Sequence, residues 1–300
     1  MNLYRSVKKQ EGGGTGGTDV YIDGVKSSAS RIDLNSLVAL PSNMSSIVVA
    51  LLNDEIHILG GVGGASFRYH YKWNGTAWSS VSTLPYDVTT SSRVVVLNNE
   101  LHLLGGSGAN DTTKHYKWNG TAWSSVSTLP YGFYSGNAVV YNDEIHILGG
   151  GVNGTEHYKW NGTAWSSVST LPYIFKIGSA VVFNDEIHIF GGGSSSSRAY
   201  HYTWNGTTWS SALTLPFSES NISSVVYNNK IHVFGGIDSS NLKHYYLNNN
   251  AWEQDSPCYI AHGVDSAIVF NNRIVFVGGT YGFNYIEVFG NPIMESIITS

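Results

Sequence analysis

The chain has 300 residues, and its 16 basic and 21 acidic side chains give a formal net charge of −5. That balance offers no cationic field for a phosphate backbone, so nucleic acid is excluded as a partner class. Charged residues are only 12% of the chain, but nine Trp and 19 Tyr supply enough apolar surface for ordered folding. The single cysteine, Cys258, rules out an intrachain disulfide framework and a cysteine-based zinc site.

In chain order, the first ten residues lack the apolar stretch of a secretory signal. No run of about 20 apolar residues occurs anywhere, so neither signal-peptide export nor membrane insertion is expected. Residues 11–17, Glu-Gly-Gly-Gly-Thr-Gly-Gly, have linker composition, and residues 1–19 read as a flexible tether or attachment segment. A strand is then expected over Ile47–Leu52, apolar enough to be buried on both faces, followed by an Asn53-Asp54 turn and a second strand over Glu55–Leu59. A third and a fourth strand, Tyr69–Trp73 and Trp78–Ser82, flank Asn74-Gly75, a strong hairpin signal. No segment has a 3.6-residue apolar period.

This four-strand unit recurs. A Gly-Gly pair closes an apolar segment at Gly60, Gly105, Gly149, Gly191, Gly235 and Gly278, in steps of 45, 44, 42, 44 and 43 residues. Four of the pairs are followed by Trp-Asn-Gly-Thr-(Ala/Thr)-Trp, giving Trp73/Trp78, Trp118/Trp123, Trp160/Trp165 and Trp204/Trp209. The fifth unit keeps only Trp252, and the sixth has Val288 and Phe289 near the first Trp position. Repetition at this period points to sheets arranged radially, an arrangement that hides sheet edges.

On these residues the sequence resembles a kelch-repeat β-propeller. The resemblance implies an all-β, six-bladed propeller with four antiparallel strands per blade, over about residues 20–290. The N- and C-terminal strands are expected to close one blade. Residues 35–41 align at an offset of 44 with Ser79–Pro85, so residues 34–41 would supply the outer strand of the last blade. Residues 293–298 are an alternative source, and residues 291–300 otherwise form a C-terminal tail.

Ten of the eleven histidines fall on repeated positions: His57, His102, His146, His188 and His232 in second strands, and His70, His115, His157, His201 and His244 in third strands. No carboxylate recurs beside them, so packed or hydrogen-bonded histidines are expected and no metal site. The Gly12–Gly17 segment matches G-x-G-x-x-G without a strand before it or a helix after it, and no Gly-Lys loop exists, so no cofactor is expected. Copper-radical oxidases also resemble kelch propellers, but the adjacent Cys258-Tyr259 does not match their crosslinked site. Gly75-Thr76-Ala77-Trp78 partly resembles a sialidase Asp-box, with Trp73 standing where the aspartate belongs.

One end of the repeat is nearly invariant, with Asn-Asp or Asn-Asn turns and Asn-Gly-Thr turns, while the loops at the other end diverge. Divergent loops on a rigid frame suggest a recognition face. The candidate binding residues are Phe67, Arg68, Arg93, Phe133, Tyr134, Phe175, Lys176, Arg198, Tyr200 and Glu219. Non-repeated Phe133, Tyr134, Phe175, Arg93 and Arg198 rank above the repeated Tyr86, Tyr131, Tyr173 and Phe217, which read as packing residues. The carboxylates of that face, Asp87, Asp111, Glu156 and Glu219, do not recur in pairs, so no catalytic residue is assigned.

The resulting expectation is a non-catalytic adhesion propeller that binds a cell-surface glycan or protein. Composition resembles phage or bacterial adhesins of tail-fibre or baseplate type, which implies a virion or cell-exterior location, with residues 1–19 joining a larger assembly. A cytoplasmic location is the alternative. The competing function is an enzyme, a sialic-acid mutarotase or a glycosidase, and an adaptor role like that of kelch ubiquitin ligases is third.

Overall fold

Asn-Asp and Asn-Asn dipeptides set the hairpins. Both residues are left-handed at Asn53-Asp54 (φ 53° and 57°), Asn98-Asn99, Asn142-Asp143, Asn184-Asp185, Asn228-Asn229 and Asn271-Asn272. Two successive positive φ values make a type I′ turn, whose twist matches that of the strands it joins, and Asn and Asp tolerate the conformation well. The structure is a computed structural model. It describes residues 21–22, 25–26, 45–62, 67–106, 111–193, 198–219, 221–235, 243–255, 267–277 and 286–289.

The chain divides into two units, Met1–Ala39 and Leu40–Ser300. In the first, β1 (Tyr21–Ile22) pairs antiparallel with β2 (Val25–Lys26). The second is the propeller. Its first blade is β3 (Ser45–Leu52), β4 (Glu55–Val62), β5 (His70–Trp73) and β6 (Trp78–Ser80). The second runs β7 (Arg93–Leu97), β8 (Glu100–Leu104), β9 (His115–Trp118) and β10 (Trp123–Ser125). The third is β11 (Asn137–Tyr141), β12 (Glu144–Leu148), β13 (His157–Trp160) and β14 (Trp165–Ser167). The fourth is β15 (Ser179–Phe183), β16 (Glu186–Phe190), β17 (His201–Trp204) and β18 (Trp209–Ser211). The fifth is β19 (Ser223–Tyr227), β20 (Lys230–Gly235), β21 (Lys243–Asn248) and β22 (Ala251–Gln254). Each is a four-stranded antiparallel sheet in sequential order.

Six complete blades were expected, and the described residues form five. β23 (Ala267–Phe270), β24 (Arg273–Val277) and β25 (Ile286–Phe289) form a three-stranded sheet. The sixth unit carries no Trp-Asn-Gly-Thr-x-Trp hairpin after Phe289 that would continue it into a fourth strand. Residues 34–41 and 293–298, the two proposed closing strands, lie outside the described residues. The inner strands pack in a circuit: β3 on β7, β7 on β11, β11 on β15, β15 on β19, β19 on β23 and β23 on β3.

The core lies between blades. At the junction of the second and third blades, Val95, Leu97 and Leu104 pack with Phe133, Ile145, Ile147 and Trp160. The Asn-Gly hairpins differ from a two-residue turn. Trp73 pairs with Trp78, leaving a four-residue loop in which only Gly75 has positive φ and the Asn74 side-chain oxygen accepts from the amides of Thr76 and Ala77. The side chain thus replaces the hydrogen bonds that a tighter turn would have made.

Candidate functional site

The divergent end is held to the frame by its invariant residues. The amides of Gly61, Gly106 and Gly150 donate to the carbonyls of Val88, Phe133 and Phe175 at 3.3, 3.1 and 2.8 Å. The preceding glycine is left-handed, and at Gly149 (φ 62°) an added Cβ would overlap the Phe175 carbonyl oxygen. The repeated tyrosines act as clasps. Tyr86, Tyr131 and Tyr173 donate their hydroxyls to the carbonyls of Gly105, Gly149 and Gly191 at 2.8, 2.7 and 2.8 Å. Burial pushes the pKa of all three phenols up, so they remain neutral donors.

This clasp corrects two of the expected binding residues. Phe133 and Phe175 are both 0% exposed, packed beneath the Gly-Gly corner with Val88 in the equivalent place. Their rings fill the inter-blade core and present no surface to a ligand. Arg93 is corrected too. It is 5% exposed, and one guanidinium nitrogen donates to the carbonyls of Thr90 and Ser92 at 2.6 and 2.7 Å, bracing the entry to β7.

The remaining candidates fall into three places. Arg68 makes a 3.0 Å ion pair with Asp87 on the exposed rim, and the neighbouring Phe67 carbonyl accepts from the Val88 amide. Lys176 lies 6.0 Å from the Tyr134 ring centroid and donates to the Val152 carbonyl at 3.0 Å. Beside them Val152 is 82% exposed and Ile174 42% exposed, an apolar spot of large side chains. The third place gathers the most chemistry. Arg198 pairs through its backbone with Glu219 in an isolated antiparallel β-bridge, while its guanidinium donates to the Tyr200 hydroxyl at 3.0 Å and stacks 5.3 Å from that ring. Lys243 donates to Glu219 at 2.9 Å and covers Phe217, while Tyr173 meets Tyr200 and Tyr202 with centroids 4.9 and 5.5 Å apart.

Sequence reasoning missed Lys243, Val152 and the link from Tyr173 to Tyr200. Lys243 occupies the position just before the third-strand histidine, which varies as Tyr69, Lys114, Glu156, Tyr200 and Lys243. That variation was a usable signal. The four carboxylates of this face each have their own partner: Asp87 has Arg68, Asp111 has Lys114, Glu156 accepts from Asn153, and Glu219 has Lys243.

A collar of backbone hydrogen bonds fixes the inner rim. Ser135 donates to Ser91, Ile177 to Ser135 and Asn221 to Ile177, at 3.0, 2.8 and 3.0 Å. Ser135, Ile177 and Asn221 are all left-handed, at φ 57°, 57° and 59°. For β-branched Ile177 this conformation is strained, by about 1–2 kcal/mol, and the collar holds it in place.

The histidines form a lattice between blades. In each blade the second-strand Nδ1 and third-strand Nε2 lie 2.8–2.9 Å apart, as in His57–His70 and His146–His157. They are diagonal neighbours, because His57 is directly opposite Lys72 and His70 is opposite Leu59. His70 then packs edge-on against Trp118 and tilted against Trp123 of the next blade, and His115 and His157 repeat the contact with Trp160/Trp165 and Trp204/Trp209. Burial is the main cause that lowers these histidines to about 4 in second strands and about 3 at His70, His115 and His157. They are therefore neutral at pH 7. Among the described residues, the fifth pair, His232–His244, is the one with a carboxylate, that of Asp255, within 4.8 Å of donor atoms on both rings.

No protein-family model and no curated protein matches the chain. Among solved structures, the chain is similar to one titled "Structure of YjhT", with a TM-score of 0.71 and 16% identity, covering 85% of this chain and 99% of that one. At that identity the likeness establishes the propeller fold alone. No described helix is long and apolar enough to cross a membrane.

Proposed function

We propose that the chain is a recognition propeller that binds a cell-surface glycan or protein through its divergent face, centred on the fourth and fifth blades. The observation that carries this reading is the Arg198–Tyr200–Glu219–Lys243 cluster, set beside the exposed Val152 and Ile174, on a frame whose other end barely varies. Aromatic faces, a planar guanidinium and a small apolar spot are the usual anchors of a binding surface. In this reading residues 1–19 tether the propeller to a larger assembly on a virion or cell exterior.

The test is a glycan-array and whole-cell binding screen with single alanine variants at Tyr134, Lys176, Arg198 and Tyr200. Each anchor removed should weaken binding in a step of about 1–3 kcal/mol. Full affinity in all four variants overturns the assignment.

A second reading, an enzyme acting on acidic sugars such as a sialic-acid mutarotase or glycosidase, is favoured by the Glu219–Lys243 ion pair, with Arg198 bridged to Glu219 through the backbone. The cations would hold a sugar carboxylate and Glu219 would transfer a proton. Turnover abolished by Glu219→Gln with binding retained establishes this reading in place of the first.

A further inference from the structure

The fifth blade breaks the histidine lattice in one coordinated way. In the first four blades, the residue that follows the outer strand and donates its amide to the third-strand histidine carbonyl is Val81, Val126, Val168 or Ala212. Val81 packs in an apolar cluster with Trp118 and Trp123 of the next blade. In the fifth blade that residue is Asp255, whose amide donates to the His244 carbonyl at 3.0 Å. The next unit in sequence is the sixth, which has no tryptophan.

Two further replacements lie on the same side of the sheet. His232, Tyr246 and Glu253 are directly opposite one another across β20, β21 and β22, and His244 and Asp255 lie two residues along from Tyr246 and Glu253. Residues two apart on a strand share a face. Where the first blade has Lys72 and Ser79, the fifth has Tyr246 and Glu253, joined by a hydrogen bond.

We propose that His232, His244 and Asp255 form a site for a divalent transition metal of the zinc class. One donor atom from each lies within 4.8 Å of one on each of the others, and the Asp255 carboxylate comes within 3.9 Å of His244 Nδ1. Two imidazoles and one carboxylate are a donor set that suits zinc and leaves a position open for water or a ligand. Among the described residues the other four histidine pairs have no carboxylate within that distance of both rings, so they are internal negative controls. Both imidazoles are buried, and Asp255, 37% exposed along its side chain, gives the edge through which an ion enters. Binding exchanges the shared His232–His244 hydrogen bond at 2.9 Å for coordination and turns the two rings off their common line. Coordination through His232 Nδ1 leaves the buried Nε2 to carry the ring proton.

Isothermal titration of untagged, chelator-stripped protein with zinc chloride tests this. The expected result is one equivalent bound, and at least tenfold weaker binding in Asp255→Val, which restores the residue of the other blades and so keeps the fold. Val81→Asp, which gives the first blade the same three groups, is expected to raise the stoichiometry to two. No zinc uptake by the native chain, or equal affinity in Asp255→Val, overturns the proposal. The result is independent of the divergent-face reading, because no residue of that cluster contributes to this site.

Discussion

The two ends of the blades share one backbone frame and use it differently. At the invariant end, Asn-Asp and Asn-Asn turns and four-residue Asn-Gly-Thr loops satisfy themselves locally, each Asn side chain capping its own loop. The Tyr141 and Tyr227 hydroxyls, which donate to the carbonyls of Asp185 and Asn272, and the Trp252 indole, which donates to the Leu213 carbonyl, reach the neighbouring blade. At the divergent end the loops are stitched across blades by the Gly-Gly corners, the tyrosine clasps and the collar. Divergence in sequence is therefore greatest where backbone anchoring is strongest. A loop whose path is fixed by main-chain bonds can change its side chains without losing its place.

Between the two ends lies the histidine–tryptophan lattice, and its disruption should have the largest effect. Nine histidines are held below their ordinary 6.5 chiefly by burial, to about 4 or about 3. The folded pKa lies below the unfolded one, so the unfolded chain takes up protons first. Stability is complete above pH 6.5 and falls as the pH drops from there toward 4 and 3. Circular dichroism melts should show a steep fall in Tm between pH 6.5 and 4 affecting both ends together. A flat Tm over that range contradicts the buried neutral pairs.

The next largest effect separates the ends. Gly149→Ala drives a Cβ into the Phe175 carbonyl at the divergent end, whereas Gly162→Ala at the invariant end (φ 95°) meets nothing within 4 Å. Gly149→Ala should cost more than about 3 kcal/mol and Gly162→Ala about 1 kcal/mol of backbone strain alone. Urea unfolding of the two variants measures the difference, and equal losses would remove the asymmetry. Smaller again, Tyr131→Phe deletes one clasp bond to Gly149 and should cost about 1 kcal/mol. Phe217 shows that a blade tolerates the loss. At the invariant end, Glu144→Gln removes a half-exposed ion pair with Lys159 and should shift stability by less than about 0.5 kcal/mol.

The repeat was legible because its physics is local: Asn-Asp turns, Gly-Gly corners and Trp pairs announce themselves within a few residues. The all-β propeller followed from them. The count of complete blades among the described residues did not: the sixth unit shows three strands, and the segments expected to supply its fourth, 34–41 or 293–298, lie outside the described residues. The site was read less well for a related reason. Phe133 and Phe175 looked variable and exposed because no neighbour in sequence marks them as buried. Their burial follows from the carbonyl that must face a glycine about 26–28 residues earlier, in the preceding blade. Arg198, Tyr200 and Glu219 were found, but the contact that unites them with Lys243 depends on the packing of the fourth blade against the fifth.

The central claim is that recognition belongs to the divergent end. Its most direct measurement pairs two multiple-alanine variants in one glycan and whole-cell binding screen. One removes Tyr134, Lys176, Arg198 and Tyr200, and the other removes Thr76, Thr121, Thr163 and Thr207 from the invariant turns. Loss of binding in the first, with native binding in the second and both proteins folded, is the predicted result. Binding retained in the first or lost in the second would contradict the account.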